Sequence, residues 1–141
     1  MSKKSHMTEK ELSYGEKVLV ERGTVLYKAG DKLAEHPIYY VIAGLVRLEV
    51  PAGSGARLPV YQLPDAVFGT VEALLGCPRL TTASCVENSI LYRWDLQSFE
   101  TASSVSWELS QLTSTGLTRL LRIMNAEFGD RLGEAQRRRR S

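Results

Sequence analysis

The sequence predicts a mainly β fold with α elements: an antiparallel, jelly-roll-like β-roll followed by a long carboxyl-terminal helix. Two observations support this prediction. Short segments with strand-like alternation recur through the first two thirds of the chain, with turn residues between them. Beyond about residue 95 the alternation stops, and apolar side chains recur at steps of three to five, which is typical of a helix that buries one face.

Each predicted strand is a short run of apolar and β-branched residues that ends at a turn signal, most often a glycine. The predicted strands are Lys17 to Val20, Thr24 to Lys28, Ile38 to Ile42, Leu45 to Val50, Arg57 to Leu63, Thr81 to Val86 and Ser89 to Trp94. Many short strands at nearly regular spacing indicate an antiparallel barrel or roll rather than a parallel sheet.

Two helices are predicted after the strands. Asp95 is expected to cap a short helix that ends near Glu100, and Ser103 or Ser104 to cap a longer one that runs to about Leu132. The apolar stripe of the longer helix consists of Trp107, Leu109, Leu112, Leu117, Leu120, Leu121, Met124, Phe128 and Leu132. We expect this stripe to pair with its copy in a homodimer, with packing against the roll of the same chain as the alternative.

Gly116 interrupts the predicted long helix. A glycine in a helix interior is about 1 kcal/mol less favourable than alanine, so its presence indicates a reason for it. We expect either a close helix crossing or a bend at this position.

Length and charge favour one domain. With 141 residues and 43% hydrophobic content, the chain is predicted to have a flexible segment at 1–14, a folded domain at 15–136 and a basic tail at 137–141. The formal charge is +2, but four of the 18 basic residues are the arginines at 137–140. The remaining 14 basic and 16 acidic side chains indicate that the body is not a basic nucleic-acid binder.

Several other classes are disfavoured. No apolar run reaches the roughly 20 residues that span a membrane, and the polar amino terminus indicates a cytoplasmic protein. Cys77 and Cys85 are interpreted as free thiols. Only His6 and His36 are available as histidine ligands, so we expect no metal site and no metal-dependent enzyme. No set of residues typical of acid–base or nucleophilic catalysis is found, so we expect no enzyme of any kind.

The stretch from Phe68 to Thr82, called the cassette below, is the strongest candidate site. It places Arg79 just beyond a glycine turn and a short apolar helical turn. Backbone amides at a helix start attract anions, and a guanidinium can bind a phosphate through two parallel hydrogen bonds. The sequence therefore predicts a phosphate-binding site.

The cassette resembles the phosphate-binding cassette of cyclic nucleotide-binding domains, as found in catabolite activator-type regulators and cyclic nucleotide-gated proteins. The matching residues, with no gap needed, are Phe68, Gly69, Leu75, Pro78, Arg79 and Thr82. Two further blocks, at residues 23–31 and 39–47, resemble the family's strand-entry and hairpin motifs in the correct order. Together the three blocks extend the similarity from about Val18 to Phe99.

This resemblance implies a set of ligand-binding residues, namely Phe68, Gly69, Thr70, Glu72, Arg79, Leu80, Thr81, Thr82 and Asn125. Thr70 stands where the family usually has the glutamate that accepts a hydrogen bond from the ribose 2′-hydroxyl. Glu72 falls on the next helical turn, where it is expected to point elsewhere unless the backbone shifts. Leu80 removes a hydroxyl contact to the phosphate. Asn125 aligns with helix residues that read the base, although an asparagine there is more often solvated.

The resemblance implies a stand-alone sensor that binds a cyclic nucleotide, cAMP or cGMP, or a related phosphorylated ligand, and signals through its last helix to a protein partner. The alternative is a ligand-free dimeric scaffold with a degenerate pocket, which the changes at Thr70 and Leu80 favour. Relatives that regulate transcription continue into a winged helix-turn-helix. We expect no DNA-binding domain here, because only a short segment and four arginines follow the helix.

Overall fold

The structure is a computed structural model that describes residues 14–32, 36–51, 55, 57–116, 118, 120 and 122. Its strands are β1 (Glu16–Val20), β2 (Val25–Tyr27), β3 (Ile38–Ala43), β4 (Val46–Pro51), β5 (Arg57–Gln62), β6 (Val67–Phe68), β7 (Thr82–Cys85) and β8 (Ser89–Trp94). Its helices are α1 (Thr70–Leu75), α2 (Leu96–Val105) and α3, which begins at residue 107 and includes residues 107–116.

The strands form two four-stranded sheets in the orders β1-β8-β3-β6 and β2-β7-β4-β5, and every pairing is antiparallel. This arrangement confirms the predicted β-roll. The seven predicted strands are all present, with ends that differ by at most one residue. Strand β6 was not predicted, because two residues are too few to show alternation.

The two sheets differ in what covers their faces. One apolar cluster lies between the sheets and includes Tyr39 and Leu91 of the first sheet and Leu48 of the second. A second cluster covers the other face of the first sheet, where Trp94 packs with Leu109 of α3. The first sheet is therefore buried on both faces, which explains the unbroken apolar run of β3. The second sheet keeps a polar outer face, and the residues of β4 alternate accordingly.

The helix boundaries differ from the prediction in two respects: α2 runs to Val105 instead of ending near Glu100, and the next helix begins later than expected. Asp95 caps α2 as expected, since its Oδ1 accepts a hydrogen bond of 2.7 Å from the Ser98 amide. The prediction that the next helix starts at Ser103 or Ser104 is wrong, because both lie inside α2. The chain becomes extended at Ser106, whose Oγ accepts a 3.1 Å hydrogen bond from the Leu109 amide and so caps α3.

Helix α3 packs against the roll of its own chain. Leu109 is fully buried, and Leu112 and Leu120 pack against the two apolar clusters. A Cβ at Gly116 would lie 2.9 Å from the Val67 carbonyl oxygen, so the close approach at this glycine is to strand β6 and not, as predicted, to another helix. Trp107 of the stripe is 70% exposed. The rest of the predicted stripe, the 1–13 segment, the tail at 137–141 and Asn125 lie outside the described residues.

Candidate functional site

Arg79 is the centre of the cassette, and it is completely enclosed. Its side chain has no exposed area. Nη2 donates a hydrogen bond of 2.7 Å to the Pro37 carbonyl, and Nη1 donates one of 3.2 Å to the Gly69 carbonyl. The guanidinium carbon lies 3.9 Å from the ring centroid of Tyr27, within the range of a cation–π contact. The predicted phosphate-binding fork is therefore directed at groups of the protein itself.

Gly69 makes this enclosure possible. It has φ 85° and ψ 9°, a left-handed conformation that glycine adopts without strain, and it precedes the first residue of α1. A Cβ at this position would lie 2.9 Å from Arg79 Nη1 and 3.1 Å from the Pro37 carbonyl oxygen. The sequence predicted that a ligand phosphate approaches the Gly69 backbone. In the structure the guanidinium of Arg79 takes that place.

Glu72 supplies the negative charge of the cassette. The carboxylate is buried; its Oε1 accepts a 3.0 Å hydrogen bond from the Leu80 amide, and its Oε2 lies 3.7 Å from Arg79 Nη1. The expectation that Glu72 points away from the cassette is wrong. Glu72 lies in the first turn of the six-residue α1 and not on a following turn, and from there its carboxylate reaches the Arg79–Leu80 segment.

Tyr27 forms the apolar floor under Arg79. Burial raises the pKa of its hydroxyl far above the usual range, and the Arg79 charge only partly opposes this rise. The phenol therefore remains neutral at physiological pH. The hydroxyl is also hydrogen-bonded by the side chain of Thr81, which is 1% exposed. Thr81 thus contacts the floor of the cassette.

The other predicted residues divide into two groups. Phe68 is a core residue whose ring stacks on Tyr39 at a centroid distance of 5.1 Å. Thr70, the first residue of α1, is buried beside the cassette. Thr82 is not brought together with them, because its Oγ1 accepts a 3.0 Å hydrogen bond from the Ala29 amide and it lies on the outer face of the second sheet.

The space beside the cassette is small. A cavity of about 20 Å³ is lined by residues of β6 and α1, among them Gly69, Thr70 and Glu72, and by Gly116 and Leu120 of α3. This volume holds about one water molecule, whereas ligand pockets in proteins enclose about 300–1,000 Å³. Helix α3 therefore closes the cassette in this structure.

Comparison with known protein families identifies the family of this domain. The family model described as "Cyclic nucleotide-binding domain" matches residues 17–104. The chain belongs to the cyclic nucleotide-binding domain family. The resemblance found in the sequence is confirmed, and domains of this family are typically regulatory rather than catalytic. No curated protein sequence matches the chain significantly.

Solved structures show the same fold at low sequence identity. The catabolite activator protein of Thermus thermophilus matches with a TM-score of 0.69 and 24% identity over 90% of this chain and 60% of its own. The cAMP-bound regulatory domain of Toxoplasma gondii PKA matches with a TM-score of 0.57 and 23% identity over 68% and 38%. The heme domain of CooA from Carboxydothermus hydrogenoformans matches with a TM-score of 0.72 and 13% identity over 89% and 87%.

The chain thus spans less than two thirds of the length of the first two of these proteins. Within the described residues, no helix is long and apolar enough to cross a membrane. The same part of the chain holds no cluster of three or more side chains suited to a metal ion.

Sequence reasoning missed two groups that hold Arg79 in this domain. The Pro37 carbonyl is the closest partner of the guanidinium, and the Tyr27 ring lies under it. Every residue has a backbone carbonyl, so the sequence does not indicate which one binds the guanidinium. Tyr27 did leave a signal, since it lies in the block at residues 23–31, but that block was interpreted only as part of the fold.

Proposed function

We propose that this chain is a regulatory module that binds a cyclic nucleotide, cAMP or cGMP, or a related phosphorylated ligand in the cassette. In this proposal, helix α3 carries the response to a protein partner. The observation that supports it is the buried guanidinium of Arg79 in the cassette, next to the small cavity that α3 closes. A related fold has been solved with cAMP, in the regulatory domain of Toxoplasma gondii PKA.

The electrostatics of Arg79 favour an incoming anion. A buried charge is stable only when hydrogen bonds and a counter-charge compensate for the water it has lost. Among the described residues, Arg79 Nε has no hydrogen-bond partner, and the Glu72 carboxylate at 3.7 Å is beyond the usual hydrogen-bond distance. A ligand phosphate at hydrogen-bond distance would compensate the guanidinium better than Glu72 does.

Ligand entry requires a movement of α3. A nucleotide does not fit into about 20 Å³, and Gly116 and Leu120 line the side of the cavity that faces the helix. A ligand that binds only when α3 has left this position shifts the equilibrium towards the displaced helix. The last helix is then the switching element, and its displaced face is available to a partner.

Thr70 defines which ligands are expected. A hydroxyl replaces the family's carboxylate at this buried position, so the ribose 2′-hydroxyl loses its charged acceptor. We therefore expect weaker discrimination at the sugar than at the phosphate. Replacing Thr70 by glutamate should strengthen cAMP binding about tenfold, the ratio that corresponds to one charge-assisted hydrogen bond of about 1.5 kcal/mol.

A ligand-free scaffold is the second candidate function. It is favoured by the contacts that already enclose Arg79, since the Pro37 and Gly69 carbonyls, Glu72 and the Tyr27 ring leave the guanidinium no exposed surface. In that case the arginine is a structural residue, and the roll serves as a platform for interaction.

Calorimetric titration with cAMP, cGMP and a cyclic dinucleotide distinguishes the two functions. The sensor predicts saturable heat with at least one of them, and a loss of at least a hundredfold in affinity in Arg79→Gln. Arg93→Gln is the matched control, because it removes an arginine from a surface pair with Glu16. At about millimolar ligand, even a binding free energy of only about −4 kcal/mol is detected. If none of the three ligands then gives heat, the result favours the scaffold.

Homodimerisation through the carboxyl-terminal helix and a cytoplasmic location are part of the same proposal. Since Leu120 packs against its own roll, Phe128 of the apolar stripe is the better position for testing the dimer. Phe128→Glu should halve the mass measured by light scattering, whereas Arg122→Gln, which changes an exposed residue of α3, should not. An unchanged mass in Phe128→Glu would contradict the helix seam.

A further inference from the structure

The outer face of the second sheet carries a groove that shares only Thr82 with the cassette. It has a volume of about 660 Å³, which is within the usual range for small-molecule pockets. It is called the outer groove here. Its lining residues are Gly23, Val25, Lys28, Ala29, Arg47, Glu49, Pro51, Arg57, Thr82, Ser84 and Cys85.

The outer groove is positively charged. Lys28, Arg47 and Arg57 contribute three cations, and Glu49 is the one carboxylate among its lining residues. Glu49 lies between the two arginines, with its Oε1 3.3 Å from Arg47 Nε and its Oε2 3.0 Å from Arg57 Nη1. One carboxylate cannot neutralise two guanidinium groups and a lysine, so the lining residues carry a net charge of +2.

The sheet register explains why these charges meet. Arg47 is paired with Ser84, and Glu49 with Thr82, so their side chains lie on the same face. Alternation directs Leu48 and Ala83 to the core and leaves the polar residues outside. The Thr82 oxygen accepts a hydrogen bond from the Ala29 amide, and its own hydroxyl hydrogen is available to donate to an anion.

The cations are spaced for more than one anionic group. Lys28 follows β2, and Arg47 lies on β4, with β7 between these two strands. Two inter-strand spacings amount to about 10 Å, which one phosphate does not bridge. Two or three phosphates in a row would reach from Lys28 to the arginine pair across the hydroxyls of Thr82 and Ser84.

We propose that the outer groove binds a small molecule that carries two or more linked phosphate groups. This site is distinct from the Arg79 site, since Arg79 does not line the groove and its guanidinium packs against the core residue Tyr27. The positive face is also the one side of the roll that neither the other sheet nor the helices cover in the described residues.

Calorimetry of the full chain with sodium tripolyphosphate tests the proposal at low ionic strength, where charge pairing is least screened. We expect one saturable site per chain, and affinity for orthophosphate at least tenfold lower. Lys28→Gln and Arg57→Gln should each weaken tripolyphosphate binding about tenfold, the value of one charge-assisted contact. Arg93→Gln, which removes a surface arginine from the first sheet, should leave it unchanged.

A further variant separates the groove from the basic tail. Replacement of the arginines at 137–140 by glutamine should preserve at least half of the affinity, whatever the outcome of the nucleotide titrations. Amide resonances of Thr82 and Ser84 should shift on titration. Absence of binding, loss of binding in the tail variant, or unchanged affinity in the Lys28→Gln/Arg57→Gln double variant would overturn the proposal.

Discussion

Arginines lie on both sides of the second sheet, in opposite environments. Arg79 has no exposed surface and is held by two carbonyls, a carboxylate and an aromatic ring. Arg57, on the outer groove, is 67% exposed and has one described partner, Glu49. The inner arginine is therefore part of the fold, and any ligand must compete with its internal contacts. The outer arginine contributes little to the fold and retains its capacity for binding.

The largest effect that this comparison predicts is on stability. Arg79→Met removes the guanidinium and leaves Glu72 buried without its counter-charge, which should lower the free energy of unfolding by about 3 kcal/mol. Urea denaturation measures this difference. A loss of less than about 1 kcal/mol, the range of surface pairs, would show that the inner arginine is not structural.

A second substitution tests whether the cassette backbone depends on the same contacts. Gly69→Ala places a Cβ 2.9 Å from Arg79 Nη1 on a residue with φ 85°, and we expect a loss of about 2 kcal/mol. Gly23→Ala is the matched control, because it has φ 88° with no atom near its Cβ. Equal losses in the two variants would mean that the backbone conformation alone, and not Arg79, requires Gly69.

On the outer face the expected change in stability is much smaller. Arg57→Gln removes an exposed ion pair with Glu49, so the free energy of unfolding should change by no more than about 0.5 kcal/mol. The same urea experiment checks this value. A loss approaching that of Arg79→Met would remove the distinction between the two sides of the sheet.

The smallest effect concerns an exposed carboxylate. The Ser98 amide lowers the pKa of Asp95 below its ordinary value of 3.8. A depressed pKa means stabilisation that is present above the ordinary value and is lost as the pH falls through the lower one. The difference in urea midpoint between wild type and Asp95→Asn should therefore shrink on acidification below about pH 4. Glu100→Gln, elsewhere on α2, should show a different pH profile; an identical one would contradict the capping role of Asp95.

The β-roll could be predicted from the sequence because strand alternation and turn residues are local properties. Seven strands and the Asp95 cap were predicted from short windows, and the cassette was found from its spacing. The start of α3 was not, since Ser103, Ser104 and Ser106 are equally good caps by residue type. Burial of Leu109 against the first sheet decides in favour of Ser106.

The cassette itself was predicted less completely than the fold. The spacing identified Arg79 and Gly69, but the orientation of Glu72 depends on how a six-residue helix faces the following segment. The Pro37 carbonyl reaches Arg79 across 42 positions of the chain. Contacts of that kind depend on the packing of the whole roll, so the local sequence pattern does not predict them.

The position of strand β7 determines how this molecule responds to an insertion or a deletion. It follows Thr81, which contacts the cassette floor, and it places Thr82 and Ser84 in the outer groove and Ala83 in the core. Because side chains alternate with a period of two, insertion or deletion of one residue after Arg79 would exchange the inner and outer sets together. A substitution in β7 thus alters one face at a time, whereas a shift of register by one residue would disrupt both faces at once.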